Sequence, residues 1–385
     1  MFVYLDNNAT TKVALEVKKM MEPYFSDFYG NASSLYEFGT KVRRVLEEAR
    51  ADIARLLGAK SEREILFTSG GTESNQTAIH SALKVNSKRK KIVTSQVEHS
   101  SVKIFCQHLE KEGYQIISIG VSETGTLDWD AFEEALTDEV AVVSLMWANN
   151  ETGVLFPIER IAHLIKEKGI LFHMDAVQAI GKIPVCLAQI PIDYLSFSGH
   201  KFHGPKGIGS LYIREGAPFF PLFVGGRQER DRRAGTENVP GIVGLASALK
   251  IALSLMNDES KKITSLRDRL EKKLLQEIPE SFVNGGSESR IPNTTNVTIP
   301  GVEAEALLIR LSEAGIAASS GSACLTGALE PSYVLQAMGL SEERAFNSLR
   351  FSLSRFTTSE EIDFVLQVIP KLVHELRELN KAGKN

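Results

Sequence analysis

Residues 194–209 read YLSFSGHKFHGPKGIG, and the reading of this stretch decides the fold. It opens as a short apolar strand over 194–197. The chain then passes through Ser198-Gly199-His200 to Lys201, and turns through Gly204-Pro205 to Gly207 and Gly209. An unpaired ammonium in apolar surroundings is costly. Burial lowers a lysine pKa, and the neutral amine that results can form a Schiff base with a carbonyl. The competing reading of the same residues is a surface lysine in a glycine-rich turn. Gly199 and Gly204 have the outer spacing of a phosphate-binding loop, but that motif requires Lys and then Ser or Thr, and here Pro205 and Lys206 follow. His200 and His203 do not make a metal site, because zinc needs three or four ligands and no nearby cluster completes the set.

Working outward, the 385 residues suit two or three domains. The apolar share of 43% and charged share of 24% are those of a globular protein. A net charge of −4 argues against general nucleic-acid binding, which needs a basic surface. No membrane partner is expected, since no apolar run reads as a span and the N-terminus, MFVYLDNNATT, lacks the pattern of a signal peptide. Cys106, Cys186 and Cys324 are far apart and odd in number, so no disulfide framework is expected and a reducing, cytoplasmic compartment is.

Upstream, a strand over 64–68 runs into Ser69-Gly70-Gly71-Thr72 and a helix. Strand, glycine turn and helix N-terminus together favour an anion, and an ordinary capped turn is the alternative. His99 follows a strand over 92–95, and Asn150 follows a fully apolar strand over 140–146. Asp175 ends the strand that begins at 170, with Gln178 one turn later. Apolar strands alternating with amphipathic helices predict an α/β protein whose large domain has a mainly parallel sheet covered by helices on both faces. In such a sheet, ligands bind beyond the carboxyl ends of the strands. Thr72, His99, Asn150, Asp175, Gln178, Ser198, His200 and Lys201 should therefore line one crevice.

Residues 225–238, GGRQERDRRAGTEN, read either as a solvated loop or as an arm whose arginines reach a second subunit or an anion. Helices are expected over 240–255 and 259–278, with a break at Asn257-Asp258. That break places a large domain at 14–257 and a smaller α+β domain at 1–13 and 258–385. Thr358 and Glu361 form a capping box for the last helix. In the small domain, residues 317–328 (AASSGSACLTGA) surround Cys324 with small residues, which suits an accessible, reactive thiolate. Arg350, inside a short strand-like segment, needs a carboxylate, either a ligand's or that of a structural ion pair.

Together these motifs resemble the cysteine desulfurases of the NifS/IscS type, in the class V aminotransferase group of fold-type I pyridoxal-phosphate enzymes. The resemblance runs from Leu5 to Leu353 and rests on TSGGTESN (68–75), EHSS (98–101), NNETG (149–153), DAVQ (175–178), SGHK (198–201), AGTEN (234–238) and SSGSAC (319–324). The long segment around Cys324 is similar to the NifS/IscS rather than the SufS subgroup. The chain departs from the family's pattern at 227–233 and at Leu325-Thr326-Gly327.

The resemblance implies pyridoxal 5'-phosphate bound covalently by Lys201. Asp175 would face the ring nitrogen, Gln178 the ring hydroxyl and His99 the ring face. Gly71, Thr72, Ser198 and His200 would surround the phosphate, with Thr236 contributed by the second subunit of a homodimer. Asn150 and Arg350 would hold the carboxylate of L-cysteine. Proton transfers by Lys201 and His99 would free its sulfur to Cys324, for delivery to an acceptor protein such as an iron–sulfur scaffold. A selenocysteine lyase or an aminotransferase of the same class is the alternative, and a non-catalytic scaffold of the same fold is a third.

Overall fold

The computed structural model describes residues 1–286, 288–321 and 330–382. Its strands are β1 (Val3–Tyr4), β2 (Ile65–Thr68), β3 (Lys91–Ser95), β4 (Gln115–Ile119), β5 (Val140–Met146), β6 (Leu171–Asp175), β7 (Tyr194–Ser198), β8 (Gly209–Ile213), β9 (Phe282–Val283), β10 (Thr294–Thr298), β11 (Ile316–Ala317) and β12 (Ser348–Ser352). Seven of them form one sheet in the order β2-β8-β7-β6-β5-β3-β4. Only β8 runs against its neighbours. Every residue of β5 is buried, as a strand covered on both faces requires.

The register brings the functional strand ends level. Met146 pairs with Asp175, and Asp175 pairs with Ser196. Side chains that leave β5, β6 and β7 therefore emerge at one edge. Helix Gly71–Val85 packs across β5, β6 and β7 with its N-terminus at that edge. On the flank, helix Glu37–Leu57 buries Val42, Leu46, Ile53 and Leu57, and Gly58 at φ +70° caps it by donating its N–H to the Ala54 and Arg55 carbonyls.

A second core is built from Val3 and Leu5 together with residues between Ile263 and Val373. Here β10 lies between β9 and β12, all antiparallel, and β1 pairs in parallel with β11. The N-terminal strand thus belongs to the C-terminal layer, and residues 6–11 leave it directly across the mouth of the large sheet.

The break expected at Asn257-Asp258 is absent. One helix, Val239–Glu277, runs unbroken for 39 residues. Neither Gly nor Pro stands near 257, and Asn and Asp each cost only about 0.7 kcal/mol or less in a helix. Packing outweighs that cost at both ends: Ile242, Leu245 and Leu249 are buried in the large core, and Ile263, Leu266, Leu270 and Leu274 in the small one. An 18-residue window of this helix has mean hydropathy 1.8, enough for a membrane span by length and composition. Its apolar side is spent on the two cores. Strand β4, which carries no marked alternation, was not expected from the sequence.

Candidate active site

The turns after β2, β3, β5, β6 and β7 deliver polar residues to one cavity of about 420 Å³. Ten expected residues line it: Gly71, Thr72, His99, Asn150, Asp175, Gln178, Ser198, His200, Lys201 and Arg350. Thr236 does not. It lines a separate cavity of about 200 Å³ with Gly207, Arg233 and Gly235. Cys324 lies outside the described residues. Ser319 and Gly321, shortly before it in sequence, stand in the wall of the main cavity. Gly321 is so close to the buried Glu151 that a Cβ there would lie 2.4 Å from its Oε2, and the same oxygen accepts from Ser332 Oγ at 2.5 Å.

Lys201 sits just past β7, and its Nζ donates to the Asn8 carbonyl at 2.6 Å and the Ala9 carbonyl at 2.9 Å. Burial, with the charge of Arg350 next in size, pushes its pKa down to about 8 against the pull of Asp175 and Asp6. A sizeable fraction is then the neutral amine near physiological pH. This is the partly buried, nucleophilic lysine rather than the surface one.

Asp175 is 5% exposed and is fixed on both oxygens. Asn75 Nδ2 donates to Oδ2 at 2.7 Å and the Val177 N–H to Oδ1 at 3.0 Å. Asn75 also bonds Ser101 Oγ at 2.9 Å, which links the carboxylate to the His99 turn. His99 caps helix Ser100–Lys111, and its Nδ1 accepts the Ser101 N–H at 3.1 Å. An accepting Nδ1 leaves the proton on Nε2. Burial lowers the His99 pKa, with Asp175 opposing it and the Lys201 charge adding to it. His200 is held down to about 4 by burial and by Lys201, Lys206 and Lys182, and its Nδ1 meets Thr10 Oγ1 at 3.1 Å.

Beneath this group, Glu98 is a buried acid pushed up to about 8 by loss of solvation. Its Oε1 accepts from Ser95 Oγ at 2.7 Å and the Met146 N–H at 3.0 Å.

Arg350 is 4% exposed. Its Nη2 bonds Asp6 Oδ1 at 2.7 Å and its Nη1 the Asn150 carbonyl at 2.9 Å. The partner expected for it is thus present within the chain as a structural ion pair. Its Nε and the Oδ1 of Asn150 are buried without a hydrogen-bond partner among the described residues. Buried polar atoms of this kind call for a ligand or water.

The 225–238 arm is tied to its own subunit. Glu229 is 6% exposed and is gripped by Arg50 at 2.6 and 2.7 Å and by the Phe67 N–H at 3.0 Å. Arg233 pairs with Glu73 at 2.9 Å, and Arg232 donates to the Ile65 carbonyl at 3.3 Å. These two arginines do not extend away as a free arm.

Asn8, Asn75, Asp6 and Lys182 were not among the expected site residues. Asn8 is 1% exposed and joins three segments: its Nδ2 donates to the Asn150 carbonyl and Thr294 Oγ1, and its own carbonyl receives Lys201 and Gln178. The polar run after β1 signalled a turn near the site. Asn75 closes the TSGGTESN stretch, on the first turns of the helix that the glycines open.

The donor set fits an aromatic cofactor that carries an aldehyde and a phosphate. An amine stands ready for the aldehyde, and a fixed carboxylate for a ring N–H. The unpaired first-turn N–H groups of helix Gly71–Val85, beside Thr72, Ser198 and His200, suit a phosphate. Position 71 must be small there, since a Cβ would lie 2.8 Å from Val177 Cγ2.

A family model described as aminotransferase class-V matches residues 3–365. A cysteine desulfurase of Sinorhizobium fredii is 52% identical, covering 98% of this chain and 97% of the relative. Cysteine desulfurase NifS of Azotobacter vinelandii is 51% identical over 98% of this chain and 94% of its own length. A solved structure titled NIFS-like protein superposes with a TM-score of 0.92 at 36% identity, covering 97% of this chain and 100% of that one.

Proposed function

From the premise that the chain belongs to the class-V aminotransferase family, whose members use pyridoxal phosphate, we propose that it is a cysteine desulfurase that takes sulfur from L-cysteine onto Cys324. The observation that carries the reading is the meeting of Lys201, Asp175 and His99 in one cavity whose wall includes Ser319 and Gly321, five and three residues before Cys324 in the sequence.

The bound cofactor supplies an aldehyde for covalent capture and a ring that withdraws electrons from the substrate. The chain's residues do the rest. Lys201 Nζ, with a pKa near 8, holds and releases the cofactor and can carry a proton to and from the substrate. Asp175 would hold a proton on the ring nitrogen, and Asn75 keeps Asp175 in place. His99 offers its Nε2–H over the cavity. Thr72, Ser198 and His200 would hold the phosphate, and Gln178 the ring oxygen. Arg350 and Asn150 bind the substrate carboxylate. At Cys324 the transfer balances as L-cysteine plus thiol giving alanine plus persulfide: the substrate Cβ–S bond breaks, an S–S bond forms, and the thiolate is the nucleophile.

The working unit in this reading is a homodimer. Thr236 lies away from its own cavity and is free to serve a partner's. Exposed Phe25, Tyr29, Leu35 and Val224 supply the apolar surface an interface needs. The persulfide passes to an acceptor protein, an iron–sulfur scaffold being the proposed one. The reducing cytoplasm is the proposed compartment, and free Cys106 and Cys186 are in keeping with it. A large domain at 14–257 and a small one at 1–13 and 258–385 is the proposed division, joined inside the helix Val239–Glu277; Ile291 and residues between Val334 and Ala345 pack on the large core from the second of these.

The test is a visible spectrum of the protein with pyridoxal phosphate, followed by L-cysteine and assays for sulfide and alanine. A cofactor band with both products, and loss of sulfur transfer but not of the band in Cys324→Ala, is the expected result. Transamination that survives Cys324→Ala as the main activity overturns the reading in favour of an aminotransferase.

A further inference from the structure

We propose that Lys182 is a positioning residue that fixes the Gln178 amide so that its N–H, not its oxygen, faces the cofactor's ring oxygen; this rests on the reading given under Proposed function.

Lys182 follows Gln178 by four residues. The backbone between them is a run of turns, with the Ile180 N–H on the Ala176 carbonyl at 3.0 Å and the Ile183 N–H on the Ala179 carbonyl at 3.1 Å, and it brings the two side chains into contact. Gly181, at φ +79°, lets the chain pass against Phe202, where a Cβ would come within 2.8 Å of the residue next to Lys201.

The orientation of the amide follows from its partners. Gln178 Nε2 lies 2.9 Å from the Asn8 carbonyl, which can only accept, so that end is the NH2 group. Oε1 then points the other way, and Lys182 Nζ donates to it. Nζ has a second acceptor, Asn8 Oδ1 at 3.2 Å. The Asn8 amide is itself oriented, because its Nδ2 donates to the Asn150 carbonyl at 3.0 Å and its Oδ1 also accepts from Asn293 at 3.0 Å. Asn8, Gln178 and Lys182 thus form a closed set with every orientation determined. The second Nε2–H of Gln178 is left for the cavity that Gln178 lines.

No carboxylate among the described residues forms an ion pair with Lys182. The charged and titratable groups around it are Lys201, Arg350, His200 and His203, with Glu259 and Arg355 in the wall of a small adjoining cavity that Lys182 also lines, and Asp6 and Asp175 across the main one. Burial and the two cations hold its pKa well below the ordinary value. Either protonation state donates an N–H, so the fixing of Gln178 does not depend on its charge. Without Lys182, Oε1 loses its donor and the amide is free to turn its oxygen toward an anionic ring oxygen, which then prefers to be protonated.

The experiment titrates the visible absorbance of the cofactor-loaded protein against pH. The variants are Lys182→Met, Lys182→Arg, Gln178→Ala and the double variant Lys182→Met with Gln178→Ala; Lys182→Ala serves in place of Lys182→Met if that protein does not fold. Lys182→Met is expected to raise the midpoint by about one pH unit, tenfold in proton affinity. Lys182→Arg keeps a donor and is expected to stay near wild type. The double variant is expected to match Gln178→Ala, because a residue acting through another adds nothing once the other is gone. An unmoved midpoint in Lys182→Met with cofactor retained overturns the inference and leaves the function standing. Additive shifts overturn it too, since Lys182 would then act through its own charge. A wild-type protein with no band overturns the function and the inference together.

Discussion

Asn75 and Asp175 stand 100 residues apart in sequence, and the Asn75 amide donates to the Asp175 carboxylate at 2.7 Å. Asp175 keeps one further fixed bond, to the Val177 N–H. Replacing Asn75 with Ala is expected to lower kcat about tenfold while cofactor still binds. Asp175→Asn, which removes the charge opposite the ring nitrogen, is expected to cost about 10²–10³-fold. Steady-state kinetics on both variants, with cofactor content measured, check this. Equal losses in the two would show that Asn75 does more than hold the carboxylate.

Lys201 sets a pH dependence. With its pKa pushed down to about 8, the fraction of nucleophilic amine rises as pH rises through that value. Capture of pyridoxal phosphate by the cofactor-free protein should speed up with a midpoint near 8, not near the roughly 10.4 of a free lysine. The stability of the cofactor-free protein follows the same group. Because the folded pKa lies below the unfolded one, protonation favours the unfolded chain. This part of the stability is present above the unfolded pKa and is lost as pH falls through the folded one. Stopped-flow absorbance across pH 6.5–9.5, a range of about three units around that pKa, measures the capture rate.

Arg350 is pinned by Asp6 and the Asn150 carbonyl. Lysine at this position keeps the charge but cannot reproduce a planar fork of donors. Arg350→Lys is expected to raise KM for L-cysteine by about tenfold or more with a smaller change in kcat, the mark of lost ground-state binding. An unchanged KM would mean that Arg350 serves only its ion pair.

Glu229 and Arg50 form an ion pair whose side chains are 3% and 8% exposed. Removing one partner leaves a buried charge uncompensated, so Glu229→Ala should destabilise the protein by about 3–5 kcal/mol. A joint replacement, Arg50→Met with Glu229→Leu, should recover much of that loss. Urea unfolding of the three proteins decides it, and full destabilisation in the double variant would contradict the argument.

Much of this site was legible because each part has a local signature. Lys201 follows an apolar strand and precedes a glycine turn, and Asp175 ends a strand with Gln178 one turn on. The long helix was misread at Asn257-Asp258 because two weak helix formers look like a stop when the cores that hold the helix on either side are unseen. Nothing next to Lys182 in the chain marks it, since its partners are Gln178 and Asn8. The role of Asn8 comes from partners at positions 150, 178, 201 and 294.

The sequence by itself determined the alternation of strand and helix, the glycine turns, the set of residues at the strand ends and the family they resemble. These follow from neighbours along the chain, through backbone preferences and the period of apolar positions. Only the tertiary structure decided that β1 belongs to the C-terminal layer, that Arg350 already holds Asp6, and which way the Gln178 amide faces. Those facts depend on contacts between residues 170 to 345 positions apart, such as Gln178 with Asn8 and Asn7 with Ser352. Burial of the two cores brings such residues together, and chain order does not record it.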